Sequence, residues 1–182
     1  MVRGLSVALV LILCFAGCTQ DGNKVADEPP VVAADFDGLS QDCFDSTVRV
    51  RSRNSIGSAS AIKYIAVDGN TRSQVDSILD ATHVEFETNR HVAGDRGTQH
   101  VLDVWFDGRL VSSVKCSTDD SWFQSGVSKD IATLVVPLET LGGAMPIVEN
   151  APYGEAGIMG GSKIFTVGCS DGRVPRARCG QV

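Results

Sequence analysis

The apolar residues fall mostly in short alternating runs, the pattern of strands with one buried face. Thr47–Val50 alternates weakly, and Ser58–Val67 reads as a strand with Ala59, Ala61 and Tyr64 as packing positions. Thr82–Thr88 alternates and is rich in β-branched and aromatic residues. Val101–Phe106 and Leu110–Cys116 flank Asp107-Gly108, a two-residue hairpin signal. Ile131–Val136 is nearly continuous in apolar character, the mark of a buried strand, and Lys163–Gly168 is a further short strand. Asp68-Gly69-Asn70 marks a loop over Asp68–Ser73. Leu138–Gly161 is rich in Gly and Pro and reads as a connector, and Val75–Leu79 is the single helix candidate. Short strands broken by frequent turns predict an all-β antiparallel barrel or sandwich.

The first segment reads as an address. Arg3 supplies a positive start, Leu5–Phe15 is an apolar run too short to span a bilayer, and Phe15-Ala16-Gly17 leads into Cys18. Small residues before a cysteine resemble the cleavage and lipidation site of bacterial lipoproteins, although Phe15 stands where Leu is usual. An ordinary secretory signal is the alternative, and either implies export. The expected organisation is a signal over residues 1–17 and a lipidated Cys18 that opens a tether over residues 18–42. A membrane is then a partner through the lipid, and the location is the cell envelope.

The chain of 182 residues is 43% hydrophobic and 21% charged, which fits a globular domain and not a disordered chain. Its net charge of −6 argues against a nucleic-acid partner, which needs a concentrated basic face. The basic cluster Arg173–Arg178 reads as a solvated turn. Of the 6 cysteines, Cys43, Cys116, Cys169 and Cys179 lie beyond the signal, and export permits disulfides. Cys169 and Cys179 flank Asp171-Gly172, a turn signal that favours their pairing and leaves Cys43 with Cys116. No Cys-x-x-Cys pair exists, so zinc is disfavoured, and no glycine-rich loop suggests a nucleotide; no metal or cofactor is expected.

Two patterns carry chemistry. Thr88-Asn89-Arg90-His91-Val92-Ala93 follows a predicted strand, and Asp130-Ile131-Ala132-Thr133-Leu134-Val135-Val136 places an acid at the start of a buried one. A neutral imidazole can take a proton from a weak hydroxyl nucleophile, and a carboxylate can fix the imidazole tautomer. His91 and Asp130 are the candidate base and orienting acid. Asp119 and Asp120 are the rival acids, but no buried strand follows them. His83 and His100 lack a motif context. His83, Glu85, Glu87 and His91 share one strand parity, a faint metal-site pattern that Thr88-Asn89-Arg90 interrupts.

Together these patterns resemble the trypsin-like, chymotrypsin-fold serine proteases, especially their bacterial branch. There the histidine follows a strand as Thr-Asn-x-His-Val, and the aspartate opens an Asp-Ile-Ala-x-Leu-x-Val strand. Gly57-Ser58-Ala59-Ser60-Ala61-Ile62 and Lys163-Ile164-Phe165-Thr166-Val167-Gly168-Cys169 stand in the expected order. The resemblance covers about residues 44–182 and implies a chymotrypsin-like β-barrel over residues 43–137. Residues 138–182 would then hold the connector and the beginning of a second barrel. It also implies peptide-bond hydrolysis with His91 as general base, Asp130 as orienting acid and a polypeptide substrate.

The resemblance requires a Gly-x-Ser-Gly-Gly segment, and the sequence contains none. Gly160-Gly161-Ser162 has its glycines on the wrong side, and Ser170 stands too early in the order. The expectation is a protease truncated before its nucleophile. The alternative is a non-catalytic surface lipoprotein that uses the barrel as a binding module.

Overall fold

The computed structural model describes residues 39–53, 55–119, 130–142, 145–148, 163–169 and 174–181. The expected signal, Cys18 and the tether as far as residue 38 lie outside the described residues, as do Asp120, Ser162 and Ser170. Among the described residues no helix is long and apolar enough to cross a membrane.

The chain builds a closed antiparallel barrel of six strands with an extra strand beside it. The barrel strands are β1 (Thr47–Arg51), β2 (Ile56–Asp68), β4 (His83–Asn89), β5 (Gln99–Phe106), β6 (Arg109–Asp119) and β7 (Ile131–Pro137). Their order is β1-β5-β6-β7-β4-β2, and the β1–β2 pairing closes the ring. Closure removes the free edges that would template aggregation. The extra strand, β3 (Thr71–Val75), extends β2 through the turn at Gly69, whose φ of 57° suits glycine.

Alternation builds the core. Val48 and Val50 of β1, Val84 and Phe86 of β4, Leu102 and Val104 of β5, and Ala132, Leu134 and Val136 of β7 are buried in one cluster. Each large side chain taken from water contributes about 1.5–3 kcal/mol. On β2 the inward set is Ala59 and Ala61, and a bulge between Ala61 and Lys63 then brings Tyr64 opposite Val84. The predicted β5–β6 hairpin forms, with Asp107 at φ 48° and Gly108 at φ 71°, and Asp45 Oδ1 accepts the Asp107 N–H at 3.0 Å. That double positive φ is the backbone of a primed two-residue turn.

A second cluster gathers Leu39, Cys43, Phe44, Val167 and Ala177. It joins α1 (Gln41–Asp45) to the hairpin of β8 (Lys163–Gly168) and β9 (Arg176–Gln181). Ser40 caps α1 by accepting the Asp42 N–H. The hairpin is tied to the barrel where the Cys169 N–H donates to Ser58 Oγ at 2.6 Å.

Several expectations are corrected. Leu39 is buried and Gln41 and Asp42 are helical, so packing begins inside the segment read as a tether. Thr71–Ser73, expected as loop, belongs to β3, and part of the arginine cluster lies in β9. Val75–Leu79 is not helical; Val75 ends β3, and Ser77 starts a turn whose carbonyl accepts the Asp80 N–H. Within the connector, Leu141 and Met145 are buried against the barrel core, and the Val148 N–H donates to the Ala61 carbonyl.

The expected disulfides do not form: no such bond joins the four described cysteines. Register explains the first pair. Cys179 lies opposite Phe165, whereas Cys169 follows Gly168, the partner of Arg176. The two are several residues apart along the hairpin, beyond the roughly 7 Å between Cα atoms that a disulfide spans. For the second pair, Cys43 packs in the α1 cluster and Cys116 against the barrel core.

Candidate active site

The site lies where β4 ends and β7 begins. These strands pair from His83↔Pro137 through Asn89↔Ile131, so the residues just past that last pair are neighbours in space. Arg90 N–H continues the ladder by donating to the Asp130 carbonyl at 3.0 Å. The chain then turns into α2 (Arg90–Ala93), which carries His91. Gly94, at φ 66°, ends this turn with its N–H on the Arg90 carbonyl.

His91 and Asp130 meet in two places. The His91 backbone N–H, an unsatisfied donor of the first helical turn, donates to Asp130 Oδ1 at 2.9 Å. The ring atom Nδ1 lies 2.7 Å from Asp130 Oδ2. An ionised carboxylate only accepts, so Nδ1 carries a proton, and in the neutral ring the lone pair is then on Nε2. Desolvation pushes the Asp130 carboxyl upward, but the His91 backbone and ring and the Asn89 amide outweigh it and hold it below the ordinary carboxylate range. Both side chains face solvent, His91 at 45% and Asp130 at 47% exposure.

Three contacts fix the helical turn beneath the imidazole. Gly57 of β2 lies so close to Val92 that a Cβ there would stand 2.6 Å from both Val92 methyls. Ser55 Oγ donates to the Val92 carbonyl at 2.8 Å, and Thr118 Oγ1 donates to the Ala93 carbonyl at 2.6 Å. Ser55 and Thr118 were not legible as site residues; Gly57 was legible only as part of a strand.

The other candidates stand elsewhere. His100 is buried with Nε2 2.7 Å from Thr118 Oγ1, and burial pushes its pKa down. His83 sits at the opposite end of β4, its Nδ1 2.8 Å from Thr82 Oγ1. It lines an open groove of about 670 Å³ with Ile78, Ala81, Pro137, Leu138 and Glu139, remote from His91 along the strand. Glu85 is buried in an ion pair with Lys63 at 2.9 Å. Burial and neighbouring Glu85 push Glu87 upward. Asp119 ends β6 opposite Thr133. Among the described residues no group of three or more His, Cys, Asp and Glu side chains is placed to hold a metal.

No family model, curated protein or solved structure matches the chain.

Proposed function

We propose that the chain supplies the general base and orienting acid of an exported, lipid-anchored serine endopeptidase of the trypsin-like type. The observation that carries this reading is the two-point contact of His91 with Asp130 on a closed six-stranded barrel. Asp130 holds the proton on Nδ1, so Nε2 is free to accept one from a serine hydroxyl and return it to the leaving amine. Partial exposure of the ring suits a base that must meet a nucleophile and a polypeptide. The 182 residues hold no Gly-x-Ser-Gly-Gly segment, so in this reading the serine and the oxyanion hole come from outside them.

The 182 residues alone are expected to resist labelling by a fluorophosphonate probe and to leave peptide bonds intact. If a downstream coding sequence encodes such a segment, joining it on is expected to give peptide hydrolysis. His91→Ala then lowers kcat by at least about a thousandfold. A downstream sequence with no such segment in any frame, or a His91→Ala variant as active as its parent, would falsify the assignment. The non-catalytic binding reading, which the missing serine favours, predicts no hydrolysis in any version.

Anchoring belongs to the same proposal. Chains made from the full reading frame partition into detergent through lipid on Cys18, and Cys18→Ala chains stay in the aqueous phase. Equal partitioning of the two removes the anchor from the reading.

A further inference from the structure

Asn89 stands at the N-cap of α2 with φ −77° and ψ 142°. That backbone lets an asparagine side chain accept a hydrogen bond from the first helical turn, which is the usual reason for asparagine at the position. Asn89 makes no such bond. Its Nδ2 donates instead to Asp130 Oδ2 at 3.2 Å. The role left open is filled by Asp130, which accepts the His91 N–H. The carboxylate thus caps the helical turn, and the cap residue holds the carboxylate.

Chemistry fixes the sense of the amide. Asn89 Oδ1 in that place would aim a lone pair at an ionised oxygen, so the nitrogen faces Asp130. A carboxylate rotates in a broad, shallow well about its last torsion. Half-exposed Asp130 also meets competing water. His91 alone ties one oxygen through its backbone and the other through its ring. The amide adds a second donor on Oδ2, the oxygen that receives the imidazole.

We propose that Asn89 is a positioning residue for His91: its amide locks the Asp130 carboxylate in the orientation that keeps the proton on Nδ1 of the ring. The inference deepens the proposed function and rests on the roles given there to His91 and Asp130. Asn89 acts through Asp130 and makes no contact of its own with a substrate.

The test uses the purified chain and reads the ring without catalysis. Long-range proton–nitrogen NMR spectra of His91 report which nitrogen carries the hydrogen. The parent is expected to show one tautomer, protonated on Nδ1, with slow exchange of that proton. Asn89→Asp is the diagnostic variant. Asn89 makes no cap bond to lose, so a merely structural role predicts that the ring keeps its tautomer when the contact with Asp130 is removed. A positioning role predicts mixed tautomers, because the new carboxylate repels Asp130. The Nδ1 proton should exchange at least about tenfold faster, with the melting temperature unchanged. Asn89→Ala removes the donor without adding charge, and it should raise the Asp130 titration midpoint by less than Asn89→Asp does. If both variants keep the parent's tautomer and Asp130 midpoint, the inference is overturned. Failure of the base assignment looks different: hydrolysis by the completed enzyme survives His91→Ala whatever the Asn89 variants do to the ring.

Discussion

Two aspartates of the barrel, Asp103 on β5 and Asp130 at the start of β7, hold cationic or ring partners under different conditions. Asp103 lies on the outer face of β5, cross-strand from Arg49 on β1 and from Ser113 on β6. Its oxygens accept from Arg49 Nε and Arg51 Nε at 2.7 Å each, from Arg51 Nη2 at 2.9 Å and from Ser113 Oγ at 2.7 Å. Arg49 also lies over the Trp105 ring at 5.7 Å. The Asp103 side chain is 1% exposed, against 47% for Asp130. Desolvation pushes Asp103 up, yet the donors of Arg51, Ser113 and Arg49 outweigh it and bring it down to about 2. Asp103 is saturated and shut, which is how a carboxylate stabilises a fold. Asp130 accepts from three donors while it and its partner ring stay half exposed, the arrangement that the proposed function calls for. Burial, more than the number of hydrogen bonds, separates the two.

The sharpest way to break this comparison is to delete each carboxylate. Asp103→Ala removes the acceptor shared by Arg49, Arg51 and Ser113 and should cost about 3–5 kcal/mol in urea unfolding. A loss under about 1 kcal/mol would show that the network is no more than a surface ornament. Acid makes the same cut without mutation. The folded pKa of Asp103 lies below its unfolded value, so its contribution is complete above about pH 4 and fades as pH falls towards 2. That window is worth about 2 kcal/mol, and it should vanish from the acid-unfolding curve of Asp103→Asn. The smallest stability effect belongs to Asp130→Asn. With half its surface in water it should cost less than about 1 kcal/mol while reversing the His91 tautomer in NMR spectra. A large loss of stability there would erase the distinction between the two sites.

What could be read from the chain followed the hydrophobic period. β4 and β5 alternate against a common core and β7 is a nearly continuous apolar run, so their existence was plain in the residues. β3 was missed because Thr71-Arg72-Ser73-Gln74 is exposed along its length and offers no apolar parity. β9 was missed for a related reason, since Ala177 is its buried apolar residue among arginines. α1 and α2 are 5 and 4 residues long, shorter than a readable period, and α2 is held by Asp130, Gly57 and Thr118 more than by its own propensity. The cysteine pairing failed because a turn signal says that flanks approach, not which residues face each other. His91 and Asp130 were legible as a pair because each sits at a strand end. The part taken by Asn89 was not: an asparagine before a helix reads as a cap, and only coordinates reveal that it has traded that duty with its neighbour.

The placement of β7 also governs when the pair can come into being. During synthesis, residues through Asp119 suffice for β1, β2, β4, β5 and β6, leaving β4 and β6 as open borders of an unfinished cylinder. Asp130 arrives on the threshold of the stave that seals both borders at once. A nascent or half-folded chain therefore lacks the His91–Asp130 contact, which forms only in the step that closes the barrel. Because that step joins segments far apart along the chain, it belongs among the slower events of folding.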